Sequence, residues 1–343
     1  MFSKITKEEI ALTVIKVLFS SFSYFPENKE ENKFSPFYKS FLNAAEERSI
    51  QNTPYSLQLA DLSASLGAPF FERVAHILSG GEKKAFTKKK KTLLEITRKQ
   101  QEVISDIMSK LKKGDIPPSS SNEQHILENA SLQGDKIEAD DITIDVFWDD
   151  GEKFVAIELK TVKPNFGIMR DEKRQILETK SAFSLKYPNK EIDFYIGFPF
   201  DPYSPSPTES NKDNFLKMIV GGEKYFALDE VLLANELWAF LSGEETAMQQ
   251  ILDIINVIAT PEFMKNYFFL KNKTNRKNNE NEYKSYLRNW FLFSELELIE
   301  NNAIIEEKLD GKSRRTYNQS MFKSEGEYKW ERYKKLIRLV ENK

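Results

Sequence analysis

The stretch "DVFWDDGEKFVAIELKTVKPN", Asp145 to Asn165, carries two carboxylates and an amine on what is otherwise an apolar β-rich run. Strand side chains alternate between faces, so Glu158 and Lys160, on either side of Leu159, point the same way. Val155, Ile157 and Leu159 face oppositely into a core, and Ala156 leaves space beside the charged pair. If the chain reverses through Asp150-Gly151 or Gly151-Glu152, Asp145 shares the face of Glu158, directly opposite it or one pair removed. A loop one residue different reverses that parity, so the reading depends on register. Two carboxylates a few ångströms apart repel strongly unless a proton or a cation lies between them. Oxygen-only ligands point to Mg²⁺ or Mn²⁺ and away from zinc. A lysine one strand step further on can then hold or activate water for attack on a phosphodiester, while the metal lowers the water's pKa and stabilises charge on the phosphate. The bland alternative is a solvated strand face. The upstream aspartate, the apolar strand and the helix that follows weigh toward a nuclease site.

The elements that must position these residues form a mixed α/β pattern. "DITIDVFW" alternates, "DDGE" turns, and "KFVAIELKTV" completes a hairpin. "RDEKRQILETKSAFSLKY" reads as a helix and "KEIDFYIGFPF" as a third strand. Upstream the pattern is helical: near Glu8–Phe22, over Ala68–Leu78, and over roughly Phe86–Leu111, where Leu93, Leu94, Ile96, Val103, Ile104, Ile107, Met108 and Leu111 recur at helical spacing. "GDIPPSSSNEQ" breaks that pattern. Beyond the Pro-rich "DPYSPSPTESNKD" the chain returns to helices, including "ALDEVLLANELWAFLSG" and "ETAMQQILDIINVIA", with a polar loop at "KNKTNRKNNENE". The organisation expected is a helical region over 1–61, a mixed-sheet core over 62–203, and a mainly helical region over 204–343 suited to DNA recognition or dimerisation.

Composition narrows the chemistry. With 343 residues, 40% hydrophobic and 30% charged, the chain can bury a sizeable core and carries too much charge for a membrane protein. The absence of Cys removes disulfides, thiolate catalysis and Cys-based zinc sites, and fits an intracellular protein. His76 and His125 are the only histidines, too few for a histidine-rich metal centre, and read as helix-face residues. The net charge of −3 conceals two basic tracts, Lys83–Lys113 and the C-terminal segment from Gly311, around the acidic "GDKIEADDITIDVFWDDGE". Such a layout suits a polyanion held near a cation site.

"IDVFWDDGEKFVAIELK" resembles the PD-(D/E)xK nuclease signature, with Ile144 where a proline is usual. The resemblance implies a restriction-endonuclease-like core, a mixed β-sheet flanked by helices. Asp145 and Glu158 would be metal ligands, Leu159 would offer its backbone carbonyl, and Lys160 would be the catalytic lysine. Asp141 has the same strand parity and is the second choice for the first carboxylate. "SLGAPFFERVAHIL" resembles the Gly and aromatic-Glu element of the first core helix and nominates Glu72 as a further ligand; an ion pair with Arg73 is its alternative. If Glu72 belongs there, about 83–134 is a basic helical insertion. More narrowly, "IELKTVKPN", "EKRQILETKSA" and "FYIGFPFDPY" resemble type II restriction endonucleases of the TdeIII type, over roughly Leu62–Tyr203. That implies Mg²⁺-dependent cutting of double-stranded DNA, with Mn²⁺ as substitute, at a short palindrome of the GGNCC kind. It further implies a homodimer, a companion DNA methyltransferase, and a place in the prokaryotic cytoplasm without membrane attachment.

Lys88, Lys89, Lys90 and Lys91, with Arg314 and Arg315, are candidate phosphate contacts, since such cations neutralise backbone charge and release counterions. Lys163 and Asn165, just past the strand, are placed to meet phosphate or water near the cut. The aromatic-rich "NYFFLKNKTNRKNNENEYKSYLRNWFLF" is offered for base recognition, with core packing as the commoner fate of such residues. Rival functions are a structure-specific repair or junction-resolving nuclease on the same core, and a DNA-binding module without activity.

Overall fold

In the computed structural model, which describes residues 1–21, 35–43, 68–160 and 165–341, seven strands form among the described residues. They are β1 (Glu82–Phe86), β2 (Glu95–Thr97), β3 (Lys136–Glu138), β4 (Ile142–Asp149), β5 (Lys153–Leu159), β6 (Glu191–Phe198) and β7 (Val231–Leu233). One mixed sheet runs in the order β1-β4-β5-β6-β7, and β2 pairs separately with β3. β1, β4 and β5 are antiparallel neighbours, whereas β5, β6 and β7 are parallel. Among the described residues, no helix is long and apolar enough to cross a membrane.

The β4–β5 hairpin sets the register on which the site depends. Asp149 pairs with Phe154, and the Asp150 amide donates to the Lys153 carbonyl at 3.1 Å, leaving Gly151-Glu152 as the two-residue loop. Gly151 takes φ 99°, which a glycine adopts without a Cβ clash and which the first central position of a tight hairpin turn requires. The Asp150 side chain accepts from the amides of Glu152 and Lys153, at 2.9 and 2.7 Å, and so stiffens the turn.

A parallel step from β5 to β6 needs a crossover, supplied by the helix Phe166–Lys186. Asn165 caps its first turn, its side chain accepting from the Ile168 amide. The helix lies on the sheet face of Phe147 and Phe154, whose rings meet Phe183 at 5.9 and 5.2 Å between centroids. The phase of this helix is pinned by Lys173, whose fully buried ammonium binds Glu230 at 2.6 and 2.8 Å and also pairs with Glu123. The other face packs on the helix Asn235–Ser242: a Cβ at Gly197 would stand 3.1 Å from Leu237 and 2.9 Å from Ile157. Both faces are covered, so β5 is buried nearly throughout.

The chain divides into two compact units, 71–248 around this sheet, and 1–70 with 249–343. In the second of these the described elements are helical, from Lys4–Ser21 to Trp330–Glu341. Glu8 is buried there and accepts from the Ser294 amide and hydroxyl at 2.8 and 2.7 Å. Burial pushes its carboxyl up to about 6, against the lowering effect of those two bonds. Tyr267 and Trp290, in the aromatic-rich segment, take the commoner fate of such residues and are core: Trp290 stacks on Phe263 at 5.3 Å and Tyr267 on Phe322 at 4.9 Å.

Several expected helices are corrected. Helical structure expected over Phe86–Leu111 begins at Arg98, because Thr97 and Gln100 form a capping box there. Residues 83–86, at the start of the expected helical insertion, belong instead to a strand of the main sheet, and Lys88–Lys91 form a turn. "ALDEVLLANELWAFLSG" is not one helix: Val231–Leu233 pairs with β6, and Ala234 breaks the run with φ 52°. The polar "KNKTNRKNNENE", expected as a loop, is largely helical, over Asn275–Asn278 and from Glu280.

Candidate active site

Asp145 and Glu158 are brought together by the hairpin. Val146 pairs with Ile157, and the same register carried one step further sets Asp145 opposite Glu158. The Leu159 amide donates to Asp145 Oδ2 at 3.1 Å, which ties the aspartate to the end of β5. On the β1 side the ladder is irregular: Lys84 pairs with Ile144 but Glu82 with Phe147, so Asp145 and Val146 together face the single residue Lys83. Such a bulge re-aims side chains at a strand. The Asp145 carbonyl accepts from His76 Nε2 at 2.7 Å, which places the ring proton on that nitrogen and fastens β4 to the helix Ala68–Ser79.

Lys160 leaves β5 with its amide bonded to the Gly197 carbonyl at 2.8 Å. Its ammonium lies between two carboxylates, Glu158 Oε1 at 2.9 Å and Glu172 Oε1 at 2.8 Å. Burial alone would lower the Lys160 ammonium, but these two neighbours raise it above the usual lysine range. Burial pushes Glu158 up to about 7, with the Asp145 charge adding to the effect and Lys160 opposing it. Glu158 Oε2 is buried and accepts no hydrogen bond among the described residues. A buried carboxylate oxygen without a donor is costly unless something else satisfies it.

Glu72 sits on the helix Ala68–Ser79, and its partner is Lys83 at 3.0 Å, not Arg73. The same ammonium reaches Asp145 Oδ1 at 2.9 Å. Among the described residues no three acidic, His or Cys side chains form a ready-made metal cage. Mg²⁺ does not need one, since it keeps several waters and binds through one or two carboxylates. Oxygen-only donors, an unsatisfied buried oxygen and an ammonium lodged between two carboxylates fit a divalent cation.

Of the other candidates, Asp141 is not brought to this cluster. It lies outside β4, exposed, and accepts from the Lys88 amide at 2.9 Å. Lys88, Lys89, Lys90 and Lys91 are exposed, as are Arg314 and Arg315 on the helix Gly311–Tyr317. Asn165 is engaged as a helix cap, and Lys163 lies outside the described residues. Sequence reasoning missed Lys83, Glu172 and the role of His76. Glu172 could have been suspected as a carboxylate two turns into the helix that packs back on β5; Lys83 depends on a bulge that leaves no mark in the sequence.

The mixed five-stranded sheet with helices on both faces, and the cluster of acids and lysines on its central strands, define a restriction-endonuclease-like α/β protein. The model of the type II restriction endonuclease family HinfI matches residues 3–259. Over 98% of its length the chain is 35% identical to the type II restriction enzyme MjaII of Methanocaldococcus jannaschii, covering 97% of that protein. No solved structure matches. The chain belongs to the HinfI family of type II restriction endonucleases, and is a site-specific endonuclease that acts on DNA.

Proposed function

We propose that the enzyme makes Mg²⁺-dependent double-strand cuts at a short palindrome, using Asp145, Glu158 and Lys160 as a PD-(D/E)xK site. The observation that carries the reading is the pair Asp145–Glu158 set face to face, with Lys160 held at 2.9 Å from Glu158. Asp145, Glu158 and the Leu159 carbonyl would hold the ion, with Glu72 as a further ligand. A divalent cation there supplies Lewis acidity, lowering the pKa of a water and neutralising charge on the phosphate. Lys160 donates to the attacking water or the scissile phosphate from a position fixed by Glu158 and Glu172, so its charge needs no reorganisation as the transition state forms. The Leu159 amide and His76 hold Asp145 in place throughout.

Cutting both strands of a palindrome calls for two active sites related by a two-fold axis, hence a homodimer. Lys88–Lys91, Arg314 and Arg315 are proposed phosphate contacts, the 204–343 region is assigned to recognition or dimerisation, and a companion methyltransferase protects host DNA. The likeness to the TdeIII type rests on the motif residues, and a target of the GGNCC kind rests on that family resemblance alone. Digestion of unmethylated plasmid and phage DNA with purified protein, in Mg²⁺ or in EDTA, tests the reading. Discrete fragments in Mg²⁺ only, with ends that give one palindrome, are expected. Intact linear DNA alongside cleaved branched DNA would replace it with a structure-specific nuclease.

A further inference from the structure

We propose that Lys83 is a tethered counter-cation of the metal site: without metal its ammonium lies between Glu72 and Asp145, and a divalent ion binds only by displacing it. This rests on the reading of those two carboxylates as metal ligands.

The geometry is particular to one lysine. The β1–β4 bulge sets Lys83 alone against Asp145 and Val146, and its Nζ lies 3.0 Å from Glu72 Oε1 and 2.9 Å from Asp145 Oδ1. Those are hydrogen-bond separations, wider than the roughly 2.0–2.1 Å that Mg²⁺ demands or the roughly 2.3–2.6 Å of Ca²⁺. The oxygens therefore embrace an ammonium in a space that a metal would draw tighter, and both cations cannot occupy it. Exposure is uneven: the Lys83 side chain is 46% exposed, those of Asp145 and Glu72 only 12% and 18%. The lysine can turn out into water on its flexible stem, while Asp145 is held by the Leu159 amide. Without Lys83 the two carboxylates would repel in the metal-free protein. With it, metal affinity is lowered by the free energy of breaking two partly exposed ion pairs, and the ammonium released stands at the rim of the site.

Calorimetric titration with Ca²⁺, without DNA, on the full chain tests this. Lys83→Met should bind Ca²⁺ about tenfold more tightly than wild type, a difference of about 1.4 kcal/mol. Asp145→Asn, run beside it, should lose binding. Equal or weaker binding by Lys83→Met, with Asp145→Asn impaired, overturns the counter-cation but leaves the metal site standing. Wild-type binding by Asp145→Asn removes the metal reading and the proposal together. A second measurement needs no variant: acetylation of Lys83 in the wild-type enzyme, followed by mass spectrometry, should rise several-fold when Ca²⁺ is added. Unchanged or reduced labelling at saturating Ca²⁺ contradicts displacement.

Discussion

Replacing Glu172 by Gln isolates the positioning of Lys160 from its chemistry. Glu172 Oε1 lies 2.8 Å from the Lys160 ammonium, with both side chains largely buried, at 15% and 20% exposure. A hydrogen bond to a charged group contributes about 1.5–3 kcal/mol, more than a solvated surface pair does. Glu158 remains as the second partner at 2.9 Å, so Lys160 stays charged in the variant but keeps only one of the two carboxylates that fix its direction. If the loss is felt at the transition state, where each 1.36 kcal/mol is a factor of ten, about 10- to 100-fold in kcat follows. KM should change little, because Glu172 needs no contact with DNA for this role. The assay is single-turnover cleavage of a plasmid or oligonucleotide duplex at saturating enzyme, with DNA affinity measured separately. The buried Lys173 bonds on the same helix are untouched, so the fold should persist. A kcat within twofold of wild type, or a loss confined to KM, would refute the positioning argument.

Other consequences follow from individual residues. In Gly197→Ala the new Cβ would meet Ile157 at 2.9 Å and both Leu159 and Leu237 at 3.1 Å, displacing the strand that carries Glu158. We expect about 1–3 kcal/mol of destabilisation in urea melts, together with slower cleavage. Glu8 titrates in the fold near 6 against an ordinary value of 4.5, so the folded chain binds that proton more tightly than the unfolded one. Its contribution to stability is fully present below pH 4.5 and is lost as pH rises through 6. Relative to Glu8→Gln, the wild type should therefore gain about 2 kcal/mol between pH 7.5 and pH 4, and a flat difference would contradict this. Converting Lys88, Lys89, Lys90 and Lys91 to Ala should flatten the dependence of log K on log salt by about 0.9 for each phosphate no longer neutralised. An unchanged slope would remove that turn from the DNA interface.

The hairpin was legible because its signals agree: alternation in "DITIDVFW", a turn at Gly151, and charges on one face of an apolar strand. Those signals put Glu158 and Lys160 on one face and left Asp145 and Asp141 as alternatives for the carboxylate across from them. β1 was not legible, since "EKKAF" has three charged residues in five and only its pairing with β4 makes it a strand. β7 escaped because "VLL" is three residues long inside a run that also satisfies a helical period. Setting Asp145, and not Asp141, opposite Glu158 needed the register, and the helix start at Arg98 needed a capping box that outweighs the apolar spacing upstream. Lys83 and Glu172 approach the site from separate elements, and such approaches are set by packing, beyond the reach of local pattern.

Lys160→Ala separates cleavage from folding and DNA binding. Measured with Mg²⁺ on one duplex below its melting transition, the variant should remain folded and bind DNA, yet cleave at least about a hundredfold more slowly, in the range seen when a fixed electrostatic donor is removed. Full cleavage by that variant would place the catalytic site elsewhere in the protein.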